Sequence, residues 1–138
     1  MLLAGNYTLL DFSAWESGLL DRCFEHGVGV VIGGAFNSGV LATGAVEGAK
    51  FNYDDASPQI LARTRKLEAV CAEFEVPLAA VALQFSLGHP AVTTVIPGCK
   101  SVAEVDRSVA TMNLDVPGAL WAKLKSEKLL PEGVPTPS

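Results

Sequence analysis

With 138 residues, 49% of them hydrophobic and 18% charged, the chain can bury one core and does not have the composition of a disordered segment. Ten basic against fifteen acidic residues give a net charge of −5, which leaves no basic stripe for a nucleic-acid backbone or an anionic membrane surface. Cys23, Cys71 and Cys99 are too scattered for a disulfide framework, and two histidines, His26 and His89, cannot complete a zinc site. The cysteines therefore read as small hydrophobes in a reducing, cytoplasmic setting.

The run Leu2 to Leu10 reads as a short buried strand ending near Tyr7. It has no positive flank and is too short an apolar run for a signal peptide. Ser13 is placed to cap a helix starting at Ala14, on which Leu19, Leu20, Cys23 and Phe24 share a face, and Gly27 supplies a left-handed stop. Val28 to Ile32 is β-branched and uncharged, the pattern of a strand covered on both faces. The uncharged stretch continues to Val46, but Asn37, Ser38, Thr43 and its glycines argue for strand and loop rather than a membrane span. A glycine-rich loop, Gly33 to Gly39, gives way to a polar, irregular segment reaching Asp55, where Asp54 and Asp55 read as loop solvation.

Ser57-Pro58 opens a helix to about Phe74, with Ile60, Leu61, Leu67, Val70, Cys71 and Phe74 on its apolar face. Pro77 opens a second, Leu78 to Gly88, apolar nearly all round and so buried. Ala91 to Pro97 is a strand. Ser101 and Glu104 have capping-box spacing and start a helix whose Val102, Val105, Val109 and Met112 share a face. A last helix runs from Pro117 to about Lys125, ahead of an aperiodic tail. Strands alternate with helices, which is a parallel α/β arrangement of crossover units. Three strands cannot close a barrel and leave two apolar edges unpaired, so the chain reads as incomplete, or as pairing with another copy or chain.

Two segments could hold an anion. Gly33 to Gly39 fits neither the GxGxxG fingerprint nor a Walker loop, and is either a phosphate-binding turn or a plain change of direction. In Ile96 to Ser108, Gly98 permits close approach and Lys100 stands beside the helix N-terminus capped by Ser101, which is either a phosphate site or an ordinary strand–helix turn. His26, His89, Trp15 and Trp121 read as structural. No Ser-His-Asp or Cys-His set can be assembled.

GNYTLLD (5–11), GVGVVIGGAFNSGVLATG (27–44) and VPLAAVALQFSLGHPAVTTVIPGCKSVAEVDRSV (76–109) together make the chain resemble the C-terminal part of the aldo-keto reductase family. The branch it most resembles holds the D-threo-aldose 1-dehydrogenases and L-galactose (L-fucose) dehydrogenases, with pyridoxal dehydrogenases nearby. The resemblance implies the last three strand–helix units of a (β/α)8 TIM barrel, a fold of about 250 residues when whole. Residues 1–130 would belong to the barrel and 131–138 would be a frayed tail.

The family's catalytic Asp, Tyr, Lys and His lie on earlier strands, so the resemblance implies no catalytic residue and no metal site here, and an inactive chain on its own. It does imply part of a nicotinamide cofactor site. Tyr7 marks the strand whose end lies under the cofactor. Gly33 stands where relatives often carry an aromatic ring against the nicotinamide. Gly34, Phe36, Asn37 and Ser38 fall on the loop lining pyrophosphate and ribose, and Gly98 and Lys100 on the turn holding the adenosine phosphate end. Glu104, Arg107 and Ser108 fall on the following helix, against adenine and its ribose. Many relatives have Arg or Gln at the position of Glu104 and Asn at that of Ser108. A carboxylate at 104 repels a 2′-phosphate while Lys100 attracts one, which predicts NAD over NADP. The whole protein would transfer hydride between NAD(P) and a sugar or aldehyde, oxidising an aldose at C1 to the lactone or reducing an aldehyde. The competing readings are a non-catalytic nucleotide-binding or partner-dependent module, self-associating through exposed strand edges, and a truncated reading frame with no function of its own.

Overall fold

The structure, a computed structural model, describes residues 1–137. Ser138, the last residue of the predicted tail, lies outside the described residues. Three strands, β1 (Leu2–Ala4), β2 (Val30–Gly33) and β5 (Val92–Ile96), form a parallel sheet in the order β1-β2-β5. The register pairs Leu2 with Val31 and Val31 with Thr94, so these side chains share one face, while Leu3, Ile32 and Val95 share the other. The helices and loops cover the face that carries Ile32, which is fully buried with Val30. The opposite face is open: Leu2 is 65% and Ile96 55% exposed. Burial of the strands on both faces, read from their apolar runs, is therefore corrected to one face. The first strand also ends at Ala4 rather than Tyr7, because Gly5 turns the chain at φ +79.

The predicted helix from Ala14 is two pieces, α1 (Ser13–Glu16) and α2 (Leu19–Glu25), broken at Gly18 with φ +75. Ser13 is not the cap. Asp11 Oδ1 accepts from the Ser13 amide at 2.9 Å and from its hydroxyl at 2.6 Å. Leu20 and Cys23 are buried as the spacing predicts, but Phe24 points to solvent. Gly27, at φ +68, closes α2, and the Val28 amide donates to the Cys23 carbonyl.

After β2, a 3-10 turn (Asn37–Gly39) leads into α3 (Val40–Thr43). The segment predicted to be irregular then forms a hairpin of β3 (Lys50–Phe51) and β4 (Asp54–Asp55), closed at its base by a Lys50–Asp55 ion pair. Asp55 thus has a partner, and its carboxyl is held below the usual range by the Lys50 hydrogen bond and charge.

The long helix α4 (Pro58–Glu73) begins as predicted, the Ser57 hydroxyl accepting from the Ile60 amide at 3.3 Å. It buries Leu67, Val70, Cys71 and Thr64. α5 (Leu78–Phe85) is the buried helix the composition predicts, and α4 and α5 meet at 103°. Phe85 centres an aromatic cluster with Tyr7, Phe12 and Trp121. Among the described residues no single helix is long and apolar enough to cross a membrane.

α6 (Val102–Met112) has its predicted Ser101 cap, although Glu104 reaches back to the Lys100 amide rather than to that of Ser101, and it buries no residue. Val102 is 79% exposed, and Val105 and Val109 also face solvent, so the apolar stripe that reads as a packing face has nothing against it. α7 (Gly118–Ser126) lies along α4 and buries Leu120, Trp121 and Leu124. Among the described residues after it there is no helix or strand, and several of them are packed. Leu129, Leu130 and Val134 are buried, the Thr136 backbone packs on Gly88, and an Arg63 guanidinium nitrogen donates to the Leu129 carbonyl at 2.6 Å.

Candidate functional site

In a parallel α/β sheet the loops after the strand C-termini gather at one end, and ligands bind there. The loop following β2 and the turn following β5 are such neighbours, because their strands are paired from Val30–Val92 to Gly33–Ile96. Between them runs a groove of about 840 Å³. Gly34, Phe36 and Ser38 line it from the first loop, Gly98 and Lys100 from the second, and Glu104, Arg107 and Ser108 from α6. These residues, named from the sequence, therefore reach this groove, whereas Gly33 and Asn37, named with them, do not line it. Asn37 is buried and faces inward, its side-chain amide donating to Asn52 Oδ1 at 3.2 Å. Tyr7 does not reach the groove either: it is buried with its ring 5.0 Å from that of Phe85. Burial, with the Asp21 charge adding, pushes its hydroxyl well above the usual range.

The first loop is shaped by left-handed backbone. Gly34 sits at φ +66, and a Cβ there would come within 3.1 Å of the Gly5 nitrogen, so both conformation and space demand glycine. Asn37 and Ser38 follow at φ 48 and 65. The amides of Asn37, Gly39 and Leu41 are spent on the Gly34 and Phe36 carbonyls, which leaves less of this loop for an anion than a free turn would offer. Gly98 is different: a Cβ there meets nothing within 4 Å, so its lack of a side chain widens the groove rather than relieving a clash.

Charge enters from the second loop and α6. The Ser101 hydroxyl accepts from the Glu104 amide at 3.2 Å, and Glu104 Oε2 accepts from the Lys100 amide at 2.5 Å. The carboxylate is thereby fixed at the positive end of α6. Lys100 and Arg107 supply the cations. Cys99 lies between the loop and the helix, its sulfur 3.6 Å from the Ser108 hydroxyl. Two cations beside a fixed carboxylate and hydroxyls suit a polar ligand that carries negative charge. Among the groove-lining residues there is no histidine, and no carboxylate besides Glu104, to move a proton.

Tyr53 also belongs to the groove, although no sequence pattern marks it. It lines the groove from the tip of the β3–β4 hairpin, and its amide donates to the Ser38 hydroxyl at 2.8 Å. Asn52 and Tyr53 form a two-residue turn, and the flanking strands are only two residues each and carry no alternation to reveal them. A second cavity, about 780 Å³, lies between the loop after β1, α4 and the end of α7. It holds none of the predicted site residues, and its charges balance, Asp11, Glu16 and Glu132 against Arg63, Lys125 and Lys128.

Comparisons with known proteins bear on this arrangement. The pattern of the aldo/keto reductase family matches residues 1–127. The chain is 41% identical over 129 residues to a pyridoxal 4-dehydrogenase from Microbacterium luteolum, covering 94% of this chain and 37% of that protein. It is 32% identical over 132 residues to a D-threo-aldose 1-dehydrogenase from Pseudomonas sp, covering 95% and 40%. It thus spans about two fifths of the length of these curated relatives. Among solved structures, the aldo-keto reductase AKR11C1 from Bacillus halodurans matches in its holo form with a TM-score of 0.67 at 24% identity, over 97% of this chain and 44% of that one. Its apo form matches with a TM-score of 0.69. The fold is that of part of a TIM barrel, with the sheet left open rather than closed on itself.

Proposed function

The chain belongs to the aldo/keto reductase family, and from that premise we propose that it is the cofactor-binding C-terminal portion of an NAD(P)-dependent oxidoreductase acting on a sugar or aldehyde. The observation that supports this most is the convergence of Gly34, Phe36, Ser38, Gly98, Lys100, Glu104, Arg107 and Ser108 on one groove at the C-terminal end of the sheet. They were named from sequence alone, at positions up to 74 residues apart. Gly98 and Lys100 fit the adenosine phosphate end, Glu104, Arg107 and Ser108 the adenine and its ribose, and the loop from Gly34 to Ser38 the pyrophosphate and ribose. When bound, the cofactor supplies the hydride. The chain's own residues bind and orient it, and none of them serves as the proton donor, so the 138 residues alone are inactive. In the whole protein the reaction is oxidation of an aldose at C1 to the lactone, or reduction of an aldehyde. NAD is the preferred cofactor because Glu104 opposes a 2′-phosphate. The setting is the cytoplasm, where three free thiols stay reduced.

The test is a titration of the purified chain with NADH and NADPH, followed by cofactor fluorescence. Saturable binding with NADH the tighter supports the reading. Absence of binding to either overturns the cofactor assignment.

A partner-dependent module is the second reading, favoured by one observation. The open sheet face at Leu2 and Ile96 is apolar, as are the bare valines of α6, and among the described residues both β1 and β5 are edge strands. Such surface is covered in stable proteins. A second copy, or strands supplied by another chain, would cover it. Light scattering across a concentration series distinguishes these: growth in mass that Val105→Lys and Val109→Lys suppress supports self-association, and a monomer at all concentrations removes it.

A further inference from the structure

We propose that Tyr53 is a stacking clamp for a planar ring of the nucleotide in the groove, an inference that rests on the cofactor reading above. The β3–β4 hairpin turns through two residues, Asn52 at φ 49 and Tyr53 at φ 73. That is a type I′ turn, whose second position belongs to glycine. A tyrosine there is strained, and strain of this kind persists where the surroundings impose it and something is gained. Packing is not what is gained, since Tyr53 is 92% exposed.

The surroundings do impose it. Tyr53 donates its amide to Ser38, Asn52 accepts from the Asn37 side chain, and Lys50 pairs with Asp55 at the hairpin base. Three ties thus hold an unpacked ring at the rim of a groove that also carries Lys100 and Arg107. The remaining walls are built from small residues such as Gly34, Gly98 and Ala79, and the other aromatic ring, Phe36, is half-buried. Aromatic rings stack on nucleotide bases without regard to their edges, whereas cations hold the phosphates. Tyr53 supplies the π-face that the cationic wall lacks.

The experiment uses the full chain with NADH and with ADP-ribose as probes, in the parent protein and in Tyr53→Phe, Tyr53→Ala and Tyr53→Gly. Tyr53→Gly relaxes the turn, so it retains or raises the melting temperature while removing the ring, which separates stacking from folding. Affinity for NADH is expected to fall about tenfold in the Ala and Gly variants and to be retained in Phe, in keeping with the usual worth of one base–aromatic stack. A fall for NADH alone assigns the ring to the nicotinamide half, and a fall for both probes assigns it to the adenosine half. Unchanged affinity in Ala and Gly overturns the clamp while leaving the cofactor reading intact. Failure of the parent chain to bind either probe overturns both.

Discussion

The Lys100 amide donates to the Glu104 carboxylate across 2.5 Å, so an acid is tied to the backbone of a cationic residue within one turn of chain. A 2′-phosphate drawn to the Lys100 ammonium must approach a carboxylate that cannot swing away without losing this bond.

The Glu104→Gln substitution keeps an acceptor for the Lys100 amide and removes the charge. It is expected to tighten NADPH about tenfold relative to NADH, the scale of one like-charge contact screened by water. The gain should shrink as salt is raised from low to physiological ionic strength. Fluorescence titrations of both cofactors at two salt concentrations measure it. A parent protein that binds NADPH as tightly as NADH would sink the preference for NAD.

Tyr7 carries a buried hydroxyl with no hydrogen-bond partner among the described residues, set in a ring cluster with Phe85 and His89. Removing an unpaired hydroxyl costs no bond and relieves its desolvation. Tyr7→Phe is therefore expected to leave stability unchanged or raise it by about 1 kcal/mol. Urea denaturation reads this directly, and a loss of about 2 kcal/mol or more would reveal a partner for the hydroxyl.

Cys71 is 2% exposed, and burial pushes its thiol up from 9.0 to about 11. The unfolded chain gives up this proton near 9 and the folded chain only near 11. The neutral thiol therefore favours the folded state fully below pH 9, and that contribution disappears as pH rises to 11. Two units correspond to about 2–3 kcal/mol. Tyr7 acts in the same direction at still higher pH. Denaturation curves between pH 8 and 11 should show the decline, and Cys71→Ala should be flatter across that interval despite starting lower. Equal slopes in the two proteins would exclude Cys71 as the source.

Much of this was legible from local chemistry. The caps at Ser57 and Ser101, the stop at Gly27, the buried α5 and the parallel order of the strands each follow from residues adjacent in sequence. The groove was legible because its walls are the two loops that follow paired strands. What escaped depends on what lies across from a residue rather than beside it. Val102, Val105 and Val109 have the spacing of a packed face, but spacing says nothing about whether a neighbour exists. Strand runs with no charge signal burial, yet the open face of this sheet, with Leu2 and Ile96, is apolar and bare. The stretch after α7 shows no periodicity, and its packing rests on single residues such as Leu129, Leu130 and Val134, which no repeating pattern announces. Asn37 was named with its neighbours, but its positive φ turns the side chain toward Asn52.

His89 is buried at the turn before β5, and both its ring nitrogens are used. Nδ1 accepts from the Ala91 amide at 3.1 Å. Nε2 must then carry the proton and donate it to Asp21 Oδ1, also at 3.1 Å. The two bonds are unequal in worth. The Ala91 amide is at the foot of β5, away from water, and has no other acceptor if the ring is removed. Asp21 is 66% exposed and can turn to solvent. His89→Ala is accordingly expected to cost about 3 kcal/mol, combining a void with an unpaired amide. Asp21→Asn keeps an oxygen acceptor for Nε2–H and should cost under about 1 kcal/mol. Chemical denaturation of the two variants in parallel tests the assignment. A large loss in Asp21→Asn with a small one in His89→Ala would reverse it, making the charge at Asp21 rather than the Ala91 amide the contact that holds the foot of β5 in place.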